Sequence, residues 1–376
     1  MRNRTVATVI ASSAIGLLLA ACGGPPGSGG GGADGSSEAE KHAQQVYDKI
    51  NGLSGQERTD ELVRLAEEEG ELSIYTSNSD MDDLVKGFED AYDIKVSVYR
   101  GNSESVLQRV LQEQSAGFHG VDTVETNALE LNVLNKEGFL APYESELRDQ
   151  VREEGQAENW TASRFNVFVI GWNTKLVKPG EEPKTLEELA DPKWKGKVSL
   201  ELSDVDWFAA MVKYYEDQGM SEAEIVELFK KISSNSKVVK GHTVQGELLS
   251  AGQFSVAASL YSHTVDKAAE AGAPVSWHPS SGKPVEPIVL RPNGIGLMKT
   301  AQNPAAAMLF VDWELREEGQ QVFADKFRIG SMPSDSDPLE GLEAVEVPES
   351  ELLDNGKKWD DLYAEVVKGG EEVSGG

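Results

Sequence analysis

Segments with the two-residue period of a strand and the 3.6-residue period of a helix alternate along this chain. That alternation restricts the fold more than any other feature. Glu71–Tyr75 reads as a strand, and Leu84, Val85, Phe88 and Ala91 mark the helix after it. Ile94–Tyr99 and Val121–Val124 repeat the strand pattern; Val106, Val110 and Leu111 mark the helix after the first, and Leu129, Leu131 and Leu134 the helix after the second. Strands separated by helices and short loops predict α/β architecture with a parallel sheet at its centre. Phe165–Trp172 is an unusually apolar strand, long enough to cross between two lobes. Strands at Val198–Glu201, Phe254–Tyr261, Ile288–Leu290 and Ile295–Met298 follow it. Helices are expected at Thr185–Leu189, Trp207–Gln218, Glu222–Ile232, Thr264–Ala271 and Ala305–Asp325. Glu38–Gly70 reads as helical with a break at Asn51–Gly55, and a last amphipathic helix is expected near Trp359–Val367.

Ahead of this body, Arg2 and Arg4 precede an apolar run, Val6–Ala21, too short to span a bilayer comfortably. Leu19-Ala20-Ala21-Cys22 places the chain's single cysteine where a bacterial lipoprotein is cut and acylated. Residues 1–22 are therefore expected to be a lipoprotein signal peptide ending at lipidated Cys22, and residues 23–37 a Gly/Ser tether. The GxGxxG match inside that tether follows no strand and opens no helix, so it carries no dinucleotide chemistry. Lipid would anchor the mature protein on the outer face of the cell membrane. One cysteine leaves no disulfide framework and no thiolate metal site. A net charge of −29 excludes nucleic acid and anionic lipid as partners, because both require clustered Lys and Arg.

Ligands of open α/β sheets bind at the carboxyl ends of strands, where helix N-termini favour anionic or strongly polar groups. Thr76, Ser77, Asn78 and Ser79 stand at such a point after the first strand. Arg100 and Ser103 stand after the second, Asn127 after the third, and Asp206 with Trp207 after the strand at Val198. The Ser, Thr, Asn and Asp residues among these are also ordinary helix caps, and both readings stay open. His242, Thr243, Tyr261 and His263 would face the same cleft from the other side. Catalytic patterns are poor: no HExxH, no GxSxG elbow and no Walker A loop occur. No cofactor and no resident metal are expected.

Leu65-Ala66-Glu67-Glu68-Glu69-Gly70-Glu71-Leu72-Ser73-Ile74-Tyr75-Thr76-Ser77 resembles the opening of extracellular solute-binding proteins of ABC importers, in the ferric-iron-binding branch. Phe168–Thr174 is similar to that family's crossover strand, and Leu186–Lys197 to its loop after the hinge. Asn303-Pro304-Ala305-Ala306-Ala307 with Gly319-Gln320-Gln321 resembles its closing helix. The resemblance implies a two-lobed, type II-like periplasmic-binding-protein fold with mixed sheets, hinged between lobes. It also implies a permease and an ATPase as partners. Ferric members hold iron with paired tyrosines, a histidine and an acid. Here Tyr261 is flanked by Leu260 and Ser262, Ser79 stands at the histidine's place and Asn127 at the acid's.

The resulting expectation is a lipid-anchored, monomeric substrate-binding component that captures a small polar or anionic solute. A ferric chelate, a phosphorylated or phosphonate compound and a polyamine-like solute are the candidates. Lobe one would comprise residues 38–166 and 287–376, and lobe two residues 167–286. The alternatives are direct binding of ferric ion, a lipid-anchored hydrolase using His242 or His263, and a sensor or adhesin that feeds no transporter.

Overall fold

The computed structural model describes residues 37–334 and 337–373; Cys22, the leader and the tether up to residue 36 lie outside them. Helices α1 (Glu38–Asn51) and α2 (Gly55–Glu69) come first, with local causes at their ends. The Ser37 hydroxyl accepts the Glu40 N–H, and Gly70 stops α2 in the left-handed region at φ 69°. The alternating body then runs β1 (Glu71–Thr76), α3 (Met81–Ala91), β2 (Lys95–Arg100), α4 (Ser103–Ser115), β3 (Thr123–Asn127), α5 (Ala128–Lys136) and β4 (Leu140–Ala141).

The long strand β5 (Thr161–Asn173) carries the chain into β6 (Val198–Glu201), α6 (Val205–Asp217), α7 (Glu222–Ser234) and β7 (Ser236–Val239). Next come α8 (His242–Ser250), β8 (Val256–Tyr261), α9 (Ser262–Glu270) and β9 (Val275–Ser276). Strand β10 (Ile288–Met298) brings it back to α10 (Pro304–Leu315), α11 (Glu317–Asp325) and β11 (Ile329–Gly330). The chain ends in β12 (Ala344–Glu346), α12 (Glu349–Val367) and β13 (Glu371–Val373).

The described strands form one sheet in the order β13-β7-β6-β8-β5-β10-β3-β1-β2. Within each half the pairings β1–β2, β1–β3, β6–β7 and β6–β8 are parallel, as the alternation predicts. The centre is not parallel: β10 runs antiparallel to β3 and β5, and β5 antiparallel to β8. One strand leads out and the other leads back, so the middle pair must oppose. The result is the two-lobed periplasmic-binding-protein fold, with helices on both faces of a mixed sheet.

Two hydrophobic clusters hold the halves. In the first, Phe310 of α10 packs edge-on against Phe88 of α3 at 5.1 Å. Every residue of α10 is buried, and truncating such a phenylalanine costs about 3–5 kcal/mol. In the second, Phe208 of α6 meets Phe229 of α7 at 4.9 Å and Tyr363 of α12 at 5.4 Å.

Three expectations need correction. Thr185–Leu189 yields only a 3-10 turn, Glu187–Ala190, confined between Pro183 and Pro192. The closing helix breaks at Arg316, whose ψ of 167° is extended, giving α10 and α11. The segment 287–376, expected to return as a whole to the first lobe, divides. Its last part packs on α6 and α7 through Trp359, Tyr363 and Val366, and β13 adds a parallel strand to β7. No helix among the described residues is long and apolar enough to cross a membrane.

Candidate ligand-binding site

Side chains alternate faces along a strand, so register decides which hinge residues share a face. Arg164, Asn166 and Phe168 of β5 stand opposite Asn293, Arg291 and Val289 of β10. Phe168 also stands opposite Tyr261, at the end of β8. One face of the hinge therefore carries a polar row where the strands of both lobes end.

On the first-lobe side the row is anchored by Glu125 of β3, which is fully buried. It pairs with Arg164, whose side chain is 2% exposed. Glu125 also accepts the Thr76 hydroxyl at 2.8 Å and the Asn78 amide at 3.4 Å. The turn between β1 and α3 presents Asp80, which accepts from Lys267 of α9 at 2.9 Å and from Arg328 at 2.6 Å. Arg328 further donates to the Ser79 hydroxyl at 3.0 Å and to Asn166 at 3.3 Å. Burial opposes ionisation of Asp80, but Arg328 and Lys267 prevail and hold its pKa below the usual carboxylate value. His263, close by, is pushed well below its ordinary pKa by burial and then by Arg328, Lys267 and Arg164. It is a neutral imidazole among cations. A cavity of about 1120 Å³ between α9 and α11 ends on Arg328, with Asp266, Trp277, Gln320 and Phe327 in its walls.

Tyr261 separates this group from a second one. Its ring lies 3.9 Å from His242 and 5.3 Å from His263, stacked on the latter. Its hydroxyl accepts from Arg291, whose other terminal nitrogen donates to Asp206 at 2.5 Å. Burial drives the Tyr261 pKa up, so the hydroxyl keeps its proton. Around Arg291 and Asp206 stand Glu130 of α5 and Glu349 at the start of α12, both with raised pKa values. For Glu130 burial is the main cause, opposed by Arg291 and the Ser103 hydroxyl. Burial and then Asp206 push Glu349 up to about 8. Behind Tyr261, Glu201, Asp204 and His242 bring a ligand atom each within 4.8 Å of one another, an arrangement able to hold a cation. His242 and Asp204 already pair at 2.9 Å, and Asp204 with Glu201 keeps the imidazole above its ordinary pKa despite burial.

Residues 126–362 match the family described as bacterial extracellular solute-binding protein. This chain belongs to that family. Among its relatives is iron uptake protein A1 of Synechocystis sp., 27% identical over 273 residues, which covers 68% of this chain and 74% of the relative. The fold is similar to iron-bound HitA of Pseudomonas aeruginosa, with a TM-score of 0.67 at 18% identity over 79% of this chain and 99% of that one. It is similar also to AfuA of Actinobacillus pleuropneumoniae with fructose-6-phosphate bound, with a TM-score of 0.66 at 22% identity over 80% and 99%. The protein is thus the substrate-binding component of an ABC importer. Outside the cytoplasm it binds a small solute, and it interacts with a permease and an ATPase. Members of the family bind solutes and are not enzymes, which sets the hydrolase alternative aside.

In this solute-binding protein the residues expected from sequence are distributed unevenly. Asp206, His242, Tyr261 and His263 come together around the hinge. Ser79 touches Arg328, Ser103 touches Glu130, and Asn127 accepts from Asn293 at 2.7 Å. Thr76 and Asn78 are buried and committed to Glu125, while Ser77 bonds Thr126 at 3.1 Å. Arg100 is exposed and donates to the Asn78 carbonyl at 3.2 Å, and Thr243 lies on the first turn of α8. Trp207, a candidate for an aromatic wall or cation site with core packing as the alternative, packs into the second core against Phe229 at 5.5 Å. Sequence reading missed Asp80, Glu125, Arg164, Asn166, Lys267, Arg291 and Arg328. A signal existed for the hinge: polar residues at every second position, 164 and 166 on one strand and 291 and 293 on the other, interrupt apolar strands.

Proposed function

We propose that this protein captures a small anionic solute between its lobes while a lipid on Cys22 holds it, as a monomer, at the outer face of the cell membrane. The observation that carries this reading is the set of cations gathered on the hinge and its edges: Arg164, Lys267, Arg291 and Arg328. Buried guanidinium groups are costly unless paired, and a fork of N–H donors suits carboxylate and phosphate oxygens. Arg164, Lys267 and Arg328 face only the two carboxylates of Asp80 and Glu125, so an anion arriving beside neutral His263 would balance the remaining positive charge. The AfuA complex, in which a related fold binds a phosphorylated sugar, supports the same chemistry. The first lobe, 38–166 with the part of 287–376 that returns to it, and the second, 167–286 with α12 and β13, would close on the solute by motion at β5 and β10.

Direct binding of ferric ion is a second reading, favoured by the Glu201, Asp204 and His242 cluster and by the iron-related relatives. Against it, Tyr261 stands alone between Leu260 and Ser262, and its hydroxyl is engaged by Arg291. A ferric chelate satisfies both readings, because the cations would meet the chelator and not the metal.

The test is calorimetry and thermal melting of the purified protein with inorganic phosphate, fructose 6-phosphate, ferric citrate and ferric ion alone. Saturable binding of an anionic ligand, lost on Arg328→Ala, is expected. Stoichiometric uptake of free ferric ion with a tyrosinate absorption band, and indifference to every anion, would reverse the assignment. Membrane fractionation of Cys22→Ala tests the anchor, and the variant is expected in the soluble fraction.

A further inference from the structure

The site has two electrically different ends. Near Asp80, three cations (Arg164, Lys267 and Arg328) face the carboxylates of Asp80 and Glu125, and His263 is neutral. Beyond Tyr261 the balance inverts. Arg291 is the cation there, and its two terminal nitrogens are spent on Asp206 and Tyr261. Glu130 and Glu349 approach the same point from α5 and α12, helices that touch each other there. One oxygen of Glu130 and both oxygens of Glu349 are shut off from solvent and make no hydrogen bond.

A carboxylate oxygen sealed from water without a donor costs free energy, and such a position is retained when something else supplies the donor. Among the described residues no side chain supplies it. An anion brings no N–H to these oxygens, whereas an ammonium brings three donors and a positive charge. The acidic end also draws on both lobes, since Glu130 sits beside the first-lobe loop of Ser103 and Asp206 opens α6 of the second. A group bound there would hold the lobes together as the anion does at the other end.

We propose that the solute is dipolar, its anionic group taken by Arg328, Lys267 and Arg164 and its ammonium by Glu130, Asp206 and Glu349. This rests on the solute reading above and narrows it. Asn166, which bonds Arg328, is the register partner of Arg291. The strands that carry Asn166 and Arg291 neighbour each other at about 4.8 Å, so the two ends border one another across the hinge. That spacing suits a compact molecule whose opposite charges lie a few bonds from each other.

The test uses matched pairs that differ in the amine: phosphoethanolamine against ethyl phosphate, and β-alanine against propionate, titrated into the purified full chain. The amine-bearing member of at least one pair is expected to bind ten times or more tightly than its partner, as a buried charged hydrogen bond would give. Glu130→Gln and Glu349→Gln should each shrink that preference, chiefly by weakening the amine-bearing member. Melting curves of both variants check folding, and where Glu349→Gln unfolds, Glu130→Gln alone decides. Equal or weaker binding of the amine member in both pairs overturns the dipolar solute while the anion reading stands. Binding of inorganic phosphate but of none of the four probes overturns it in the same way. Failure of every anion, phosphate and ferric citrate included, removes the anion reading and this one with it.

Discussion

Lys267 of α9 holds both carboxylate oxygens of Asp80, at 3.1 and 2.9 Å, across 187 residues of intervening chain. Asp80 belongs to the turn after β1 and Lys267 to a helix that follows β8, so this pair joins the two halves without a ligand. Arg328 shares the same aspartate. Because Lys267 remains a third exposed, its loss should cost only about 0.5–1 kcal/mol of stability. Its loss should matter more for binding, where the ammonium meets a desolvated anion. Lys267→Ala is expected to weaken anion affinity about tenfold in calorimetry, a change of about 1.4 kcal/mol. Unchanged affinity with a lowered melting temperature would make the pair a clasp and nothing more.

Arg164 and Glu125 present the opposite case, an ion pair sealed from water on the hinge floor. Removing one member strands the other. Arg164→Met should destabilise the fold by about 3–5 kcal/mol, measured by urea unfolding. Arg164→Met with Glu125→Gln should recover part of that loss, since no uncompensated charge then stays inside. A double variant as unstable as the sum of the singles would show that the two side chains act independently.

Those two pairs also show how far sequence can be read. Within each half, elements such as β1, α3 and β2 were legible because hydrophobic period reports one-sided burial. The central antiparallel pair was not, since β5 is buried along its whole length and burial on both faces erases the period. Asp206, Tyr261 and His263 could be picked out as candidates because a polar side chain follows an apolar run there, although the same pattern did not single out Asp80. Arg291 and Arg164 escaped because they lie inside strands, where the face they share is fixed by register with a strand more than a hundred residues away. Trp207 stayed open between two readings for a related reason: nothing local distinguishes an aromatic at a helix start that faces a cleft from one that faces a core.

The crossing of β5 and β10 depends on a glycine. Register shifts between Asn293 and Gly294, and a Cβ on Gly294 would come within 2.6 Å of the Thr161 carbonyl oxygen and 2.5 Å of the Trp160 ring. Backbone cannot yield as a flexible side chain does. Gly294→Ala should therefore cost about 1–3 kcal/mol, and it should shift Asn293 and Asn127 at the hinge. Denaturant unfolding with a parallel binding titration checks both effects. A variant of native stability would mean that the bulge relaxes without disturbing its neighbours.

Glu69 ties the end of α2 to the start of α10, accepting the Ala305 and Ala306 N–H groups at 3.1 and 2.8 Å. Burial raises its pKa from 4.5 to about 7, overcoming those two donors. The sign follows from proton counts. Below pH 4.5 the group is protonated whether the chain is folded or not, and it contributes no pH dependence. Between 4.5 and 7 the folded state keeps a proton that the unfolded chain has released, so stability falls as pH rises through that window. Above 7 both states are ionised and the penalty is constant, roughly 3 kcal/mol. Glu69→Gln removes the titration and leaves a carbonyl to accept one N–H. The variant's stability relative to the parent should therefore rise by roughly that amount between pH 4.5 and 8 in urea unfolding curves, while groups elsewhere cancel in the difference. A difference that stays flat over this range would mean that the carboxylate is charged throughout. In that case the two N–H groups and the positive end of α10 outweigh the cost of burying it.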